Sequence, residues 1–307
     1  MNICFMGSMK FAVPILEALN EKYHVSLVVT QPDKPVGRKK IMTPTPVKVK
    51  ALELGLDIFQ PIDIRNDHQR IMDLDLDFII VAAYGQMIPE HVLSHASYQA
   101  INVHASLLPK YRGGSPMHRA IQNGDDITGV TIMFMAMKMD SGDILAQKSI
   151  KISEEENVGT LEEKLSLLGR DLLMDTLEHI DEIEPMKQDE TQITFARNIK
   201  PEEEIIHWNQ SAKAIRNHVR GFYPWPLTYF LTDGKKIKLY DVSITAENLS
   251  TTPGEIVRVD SSGVYVQTLD GLVILQDLQL QGKNRMLIKD FMNGVGKSLF
   301  AVGKVLE

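Results

Sequence analysis

The chain has 307 residues, 44% of them hydrophobic and 24% charged, the proportions of an ordinary globular protein long enough for two domains. A lone cysteine, Cys4, excludes an intramolecular disulfide, and no apolar run approaches the ~20 residues that a membrane helix needs. The net charge of −7 excludes a surface that is basic all round.

The charge is unevenly placed. Residues 34–50 hold Lys34, Arg38, Lys39, Lys40, Lys48 and Lys50 and no acid, so the rest of the chain carries −13. Residues 1–205 have 21 basic and 31 acidic side chains, and residues 206–307 have 12 and 9, a net +3. A local basic patch on an acidic protein can bind a polyanion without attracting it everywhere. Cys4 sits in the first apolar run and is expected to be buried packing in a reducing compartment. No basic stretch followed by a long apolar run opens the sequence, so a secretory leader is not expected. A cytoplasmic monomer is the expectation.

In chain order, residues 2–6 are a short apolar run, and Gly7 and Ser8 lead into a helical pattern over 11–19. Residues 24–30 are β-branched and read as the second strand. Residues 31–46 have four prolines, most of the basic cluster and no period; they read as a long loop, which is usually functional or disordered. A helix is expected over 47–54, a short strand over 57–60 and a helix over 65–74. Residues 77–84 are almost continuously apolar, as in a parallel strand covered on both faces. A helix over 87–94 and a strand over 100–104 follow. This alternation predicts a doubly wound, mainly parallel, Rossmann-like α/β sheet. Ligands bind such sheets at the carboxyl ends of the strands, where Asn102 and His104 fall.

Residues 128–135 and 144–152 read as two strands, antiparallel to each other, joined by a loop that holds Asp140. A long helix spans 161–180, and the pattern then weakens over 182–204. After Trp208, a helix over 211–220 precedes short strands with turn signals at Asp233-Gly234, Ser262-Gly263 and Asp270-Gly271, the pattern of a small β-barrel, OB-like. The expected organisation is a catalytic domain over 1–184, a linker over 185–205 and a barrel domain over 206–307.

Asn102 and His104 are two apart on a strand, so their side chains project from one face. An amide N–H can stabilise an oxyanion, and an imidazole can move a proton. A carboxylate such as Asp140 can orient that imidazole and hold its tautomer. Spacing alone leaves Asp140 open between this role and capping a turn. No second His or Cys lies at ligand spacing from His104, so a metal site is not expected. His118 reads as a surface or packing residue. Gly7-Ser8-Met9-Lys10 lacks GxGxxG, so neither is a dinucleotide site.

Asn102-Val103-His104, Ser106-Leu107-Leu108-Pro109, Tyr111-Arg112-Gly113-Gly114 and Asp140-Ser141-Gly142-Asp143 together resemble the folate-dependent formyltransferases. Gln31 to Arg38 and Pro46-Val47-Lys48 resemble a basic loop of the methionyl-tRNA formyltransferases, which in that family enters the tRNA acceptor stem. Phe222-Tyr223-Pro224-Trp225-Pro226 is similar to a motif of their C-terminal domain and reads equally as an aromatic packing corner. The likeness runs from residue 2 to about 303. It departs at Ser8-Met9-Lys10, where the family commonly has Thr-Pro-Asp, and mildly at Ser115.

The resemblance implies catalytic roles for Asn102, His104 and Asp140, the first acid of its motif rather than Asp143. It implies a folate site lined by Ser106, Leu107, Leu108 and Pro109, and tRNA contacts from Lys34, Arg38, Lys39 and Lys40. The implied donor is 10-formyltetrahydrofolate and the implied acceptor is methionyl-initiator-tRNA, without a metal and without a membrane. A formyltransferase for a small amine, such as glycinamide ribonucleotide or an amino sugar, would keep the three residues but leave the basic loop and the second domain unexplained. A non-catalytic RNA-binding protein would leave the intact trio unexplained.

Overall fold

The structure is a computed structural model that describes residues 1–37 and 39–307. The chain forms two compact units, the first from residues 1–116, 127–151 and 162–198, the second from 117–126, 152–161 and 199–307.

The first unit is built on a seven-stranded sheet. In chain order its strands are β1 (Asn2–Gly7), β2 (His24–Val29), β5 (Ile58–Phe59), β6 (Phe78–Ala82), β7 (Ile101–His104), β8 (Ile127–Phe134) and β9 (Ile144–Lys151). Between β2 and β5 lie β3 (Lys34–Val36) and β4 (Ile41–Thr43), a separate two-stranded hairpin. The large sheet runs β5-β2-β1-β6-β7-β8-β9. Its first five strands are parallel, β8 runs antiparallel to β7, and β9 runs antiparallel to β8. Every residue of β6 is buried, as an apolar strand with both faces covered must be. One face packs Cys4 and Met6 against Leu27, Val29, Ile79 and Val81. Burial of Cys4 pushes its thiol pKa up, which keeps it protonated.

The chain steps from β1 outward to β2 and β5, then returns to β6 and β7 on the other side of β1. The winding therefore reverses between β1 and β6, and the carboxyl ends beside that point are where a doubly wound sheet places its ligands. Ser8 ties these ends together. Its hydroxyl donates to the Tyr84 carbonyl (2.9 Å) and accepts from the Gln31 backbone N–H (3.2 Å). The departure at Ser8-Met9-Lys10 thus leaves a hydroxyl at the knot and turns Met9 outward to solvent.

Three sequence expectations change. The loop over 31–46 contains the β3–β4 hairpin, whose six residues are all exposed; with no buried face, it leaves no hydrophobic period to read. The helix expected over 65–74 shrinks to Gln69–Met72. The Asp63 carboxylate accepts from the backbone and guanidinium of Arg65 and from Asn66, and such local bonding competes with helix formation. The helix expected over 87–94 is Glu90–Leu93, because Pro89 disfavours helical backbone at the residue before it.

The second unit begins its sheet after the helix Ala212–Phe222, whose start is capped by Ser211 accepting from Ala214 N (3.1 Å). Its strands are β10 (Thr228–Thr232), β11 (Lys235–Thr245), β12 (Ile256–Asp260), β13 (Gly263–Gln267), β14 (Leu272–Leu280) and β15 (Met286–Leu287). They pair antiparallel in the order β10-β11-β14-β13-β12, with β15 on β14. The open edges are β10 and β12, and residues 303–307 join them. Leu231 and Glu307 exchange both backbone bonds, while Ile256 N donates to Lys304 O and Leu306 N to Gly254 O. That closes the sheet into a barrel and removes its free edges. Inside, Trp208, Phe230, Phe300 and Phe291 form a chain of ring contacts. Phe222 is fully buried and Trp225 is 69% exposed, so the aromatic motif divides between core and solvent.

Candidate active site

β7 positions the first two residues. It lies between β6 and the antiparallel β8, with His104 opposite Thr131 and Asn102 opposite Met133. The two side chains share a face at the strand's carboxyl end. Asn102 is 9% exposed and His104 6%. The Asn102 amide has no hydrogen-bond partner among the described residues.

His104 is held by one atom. Its Nε2 lies 3.0 Å from the Tyr111 carbonyl oxygen. A carbonyl only accepts, so Nε2 carries the proton of this bond and Nδ1 is the atom left for chemistry. Nδ1 faces Asp140 Oδ2 at 3.7 Å, beyond direct hydrogen-bond reach. The Tyr111 carbonyl thus selects the tautomer with its proton on Nε2. Tyr111 itself has a positive φ of 61°, which turns its carbonyl out of a regular strand or helix path.

Asp140 sits in the β8–β9 connection with φ 47°, a left-handed conformation that aspartate tolerates better than most residues. Its Oδ2 accepts from Gly113 N at 2.7 Å. Two residues on, a Cβ at Gly142 would collide with the Phe134 carbonyl, so the turn that aims Asp140 needs glycine there. Asp143 contributes its backbone carbonyl to Phe134 N (2.9 Å).

The segment Ser106-Leu107-Leu108-Pro109 is fixed from below. Thr131 Oγ1 donates to Ser106 O (2.7 Å) and accepts from Leu108 N (3.1 Å), and Gln147 Nε2 donates to Leu108 O (2.8 Å). Ser106 Oγ is spent on Lys110 O, and Leu108 packs with Met133 and Ile144. Leu107 and Pro109 remain half-buried, the apolar surface this segment can offer a flat ligand. Thr131, Gln147 and the Tyr111 carbonyl are site components that the sequence alone does not reveal.

The expected linker is partly a wall of this site. Thr194 Oγ1 accepts from Tyr111 N, Thr194 O accepts from Arg112 N, and Ala196 N donates to Arg112 O.

The basic loop resolves into paired and unpaired cations. Lys48 binds Asp33 (2.8 Å), and Lys50 binds Glu17 (2.9 Å) and Glu53 (2.6 Å). Gln60 and then Lys48 hold the Asp33 carboxyl below its usual range. Lys34, Lys39 and Lys40 are exposed, and no acid pairs with them among the described residues. Arg38 lies outside the described residues.

Among the described residues, no three His, Cys, Asp or Glu side chains cluster as metal ligands, and no helix is long and apolar enough to cross a membrane.

A Rossmann-like sheet with an amide, an imidazole and a carboxylate at its carboxyl edge, followed by an antiparallel barrel, is the architecture of a group-transfer enzyme family. Residues 1–177 match the family described as Formyl transferase and residues 198–296 match Formyl transferase, C-terminal domain. The chain belongs to the formyl transferase family. It is 45% identical over 309 residues, covering 99% of both chains, to a protein of Staphylococcus aureus (strain MW2) named methionyl-tRNA formyltransferase. Among solved structures, the sugar 3N-formyl transferase WlaRD, in the presence of dTDP and 5-N-formyl-THF, aligns with TM-score 0.69 at 18% identity, covering 92% of this chain and 99% of that one. HypX from Aquifex aeolicus, in complex with tetrahydrofolic acid, aligns with TM-score 0.66 at 16% identity, covering 99% of this chain and 50% of that one.

Proposed function

We propose that this enzyme transfers a formyl group from 10-formyltetrahydrofolate to the α-amine of methionyl-initiator-tRNA. The observation that carries the chemistry is the uncommitted Asn102 amide beside an imidazole whose free Nδ1 faces Asp140 at 3.7 Å. The choice of acceptor is supported by the full-length relative named for methionyl-tRNA and by the unpaired lysines of the β3–β4 hairpin.

When bound, the folate supplies the formyl carbon; the half-buried Leu107 and Pro109 and the unpartnered Asn102 amide suit a flat donor with its carbonyl oxygen turned toward β7. As the neutral amine adds to that carbon, negative charge gathers on the formyl oxygen. The Asn102 N–H donates to it, and so does His104 Nδ1 once it has taken up a proton. The Asp140 carboxylate takes the proton that the attacking nitrogen must lose. His104 Nδ1 returns one proton to the departing nitrogen and is recharged from Asp140. Protons and bonds balance: one N–C bond forms, one breaks, and one proton passes from amine to leaving group. Preorganised donors aimed at developing charge are commonly the largest single catalytic effect.

Lys34, Arg38, Lys39 and Lys40 hold phosphates or opened bases of the acceptor arm. The deciding assay measures formyl transfer from 10-formyltetrahydrofolate to methionyl-tRNA, with glycinamide ribonucleotide and an amino sugar nucleotide as controls. Transfer to methionyl-tRNA alone is expected; preferential formylation of a small amine would replace the reading with the small-substrate one.

A further inference from the structure

We propose that Gln188 is a positioning residue for formyl transfer, a brace that uses Arg112 as its anchor and sets Asp140 opposite His104; the inference rests on the catalytic reading of Asp140 above. Gln188 uses both ends of its amide. Its Oε1 accepts from Arg112 Nε (3.0 Å) and Nη2 (2.7 Å), and its Nε2 donates to the carbonyls of Asp140 (2.9 Å) and Gly142 (2.8 Å).

Arg112 makes this a stiff arrangement. It is 2% exposed, and among the described residues no carboxylate pairs with it. A buried cation is costly unless hydrogen-bonded, so its guanidinium is bound to keep the Gln188 oxygen. A charged donor on the amide oxygen polarises the amide and strengthens what its N–H groups give away. Those N–H groups hold the two carbonyls of the turn that aims Asp140.

The turn's other bonds, Ser141 N and Oγ to Lys138 O and Phe134 N to Asp143 O, leave the Asp140 and Gly142 carbonyls to Gln188 among the described residues. Asp140 is in the left-handed region, and the neighbouring Met137 and Met139 are exposed. Arg112, by contrast, sits between the two backbone groups that define the site. The Tyr111 carbonyl holds His104, and Gly113 N donates to Asp140 Oδ2. Gln188 thus refers the Asp140 turn to the segment Tyr111-Arg112-Gly113, whose Tyr111 carbonyl fixes the imidazole. Releasing it frees the turn to shift, and a displacement of about 1 Å in a catalytic group can cost ~10²-fold in rate.

The role requires glutamine. An ionised glutamate accepts only: it would satisfy Arg112 better yet offer nothing to the carbonyls of Asp140 and Gly142.

The test is single-turnover formyl transfer, with kcat and KM for both substrates and Tm, on Gln188→Ala, Gln188→Glu, Asp140→Ala and the double variant Asp140→Ala/Gln188→Ala. Both Gln188 variants should lose roughly 10–100-fold in kcat with KM values close to wild type, the mark of an effect on the chemical step. On the Asp140→Ala background Gln188→Ala should cost nothing further, since the brace acts only through that carboxylate. Gln188→Glu keeps the side chain's size, so a folding defect confined to the alanine variant does not decide the matter. Wild-type kcat in Gln188→Glu, or a full additional loss in the double variant, overturns the brace. An active Asp140→Ala overturns the reading of Asp140 and the brace with it; an inactive Asp140→Ala beside a fully active Gln188→Ala overturns the brace alone.

Discussion

The Tyr111 carbonyl fixes which nitrogen of His104 can react: at 3.0 Å from Nε2 it leaves only Nδ1, the atom that faces Asp140. Asn102, on the same face two residues earlier, has no competing partner among the described residues. Asn102→Ala should therefore fold normally, because the amide is not holding structure, and should lose ~10²–10³ in kcat with the missing oxyanion donor. Steady-state kinetics and a melting curve on one preparation check this. Near-normal turnover at an unchanged Tm would take the amide out of the mechanism.

Asp140 and Asp143 separate by geometry. Asp140 presents Oδ2 to His104 Nδ1 at 3.7 Å and to Gly113 N, whereas Asp143 is tied into the fold through its backbone carbonyl. Asp140→Asn keeps the size of the side chain but cannot accept the amine's proton, so transfer should collapse while folate binding survives. Asp143→Asn should be mild. The two variants are compared by rate and by folate titration; greater damage from Asp143→Asn would mean that the wrong carboxylate carries the role.

Much of this site was legible because its signals are local. Asn102 and His104 are two apart on an apolar strand, and strand-end position follows from the β-α alternation before it. What was not legible lies in backbone atoms and distant partners. A carbonyl such as that of Tyr111 has no residue identity to read. Gln188 meets Asp140 across 48 residues, from a stretch whose polar composition read as a linker. The β3–β4 hairpin went unread because both its faces are exposed, and hydrophobic periodicity reports only a buried face. The closure of the barrel by residues 303–307 was equally silent, since it depends on backbone bonds between strand edges.

His118 and His218 give the second unit a defined response to acid. Burial lowers the pKa of each. His218 Nε2 is engaged with the Glu203 carbonyl (2.7 Å), and His118 Nδ1 is buried with no partner, so an added proton on His118 finds no acceptor. With folded values below the unfolded value of about 6.5, the unfolded chain binds protons first as pH falls. Stability from this source is fully present above about pH 6.5 and is lost progressively below it, down to the folded values. Tm measured between pH 7.5 and 5.5 should fall less steeply in His118→Gln/His218→Gln than in the wild type. Parallel pH slopes in the two proteins would show that these rings do not set the acid response.

The hairpin lysines should govern tRNA and leave the chemistry alone. Lys48 and Lys50 are neutralised by acids within the first unit, whereas Lys34, Lys39 and Lys40 have no acidic partner among the described residues. Each phosphate contact contributes roughly −0.7 to −0.9 to the slope of log K against log salt. Lys34→Ala/Lys39→Ala/Lys40→Ala should weaken methionyl-tRNA binding and flatten that slope by about two to three units if all three contact phosphate. Lys48→Ala should change the slope little, since Asp33 already holds its charge. Folate affinity should be unaffected in both, because the Leu107-Pro109 surface lies at the end of β7 and not on the hairpin. The measurement is tRNA binding across several salt concentrations, with folate binding followed in parallel. An unchanged slope in the triple variant would remove the hairpin from recognition and return the small-amine substrate to first place.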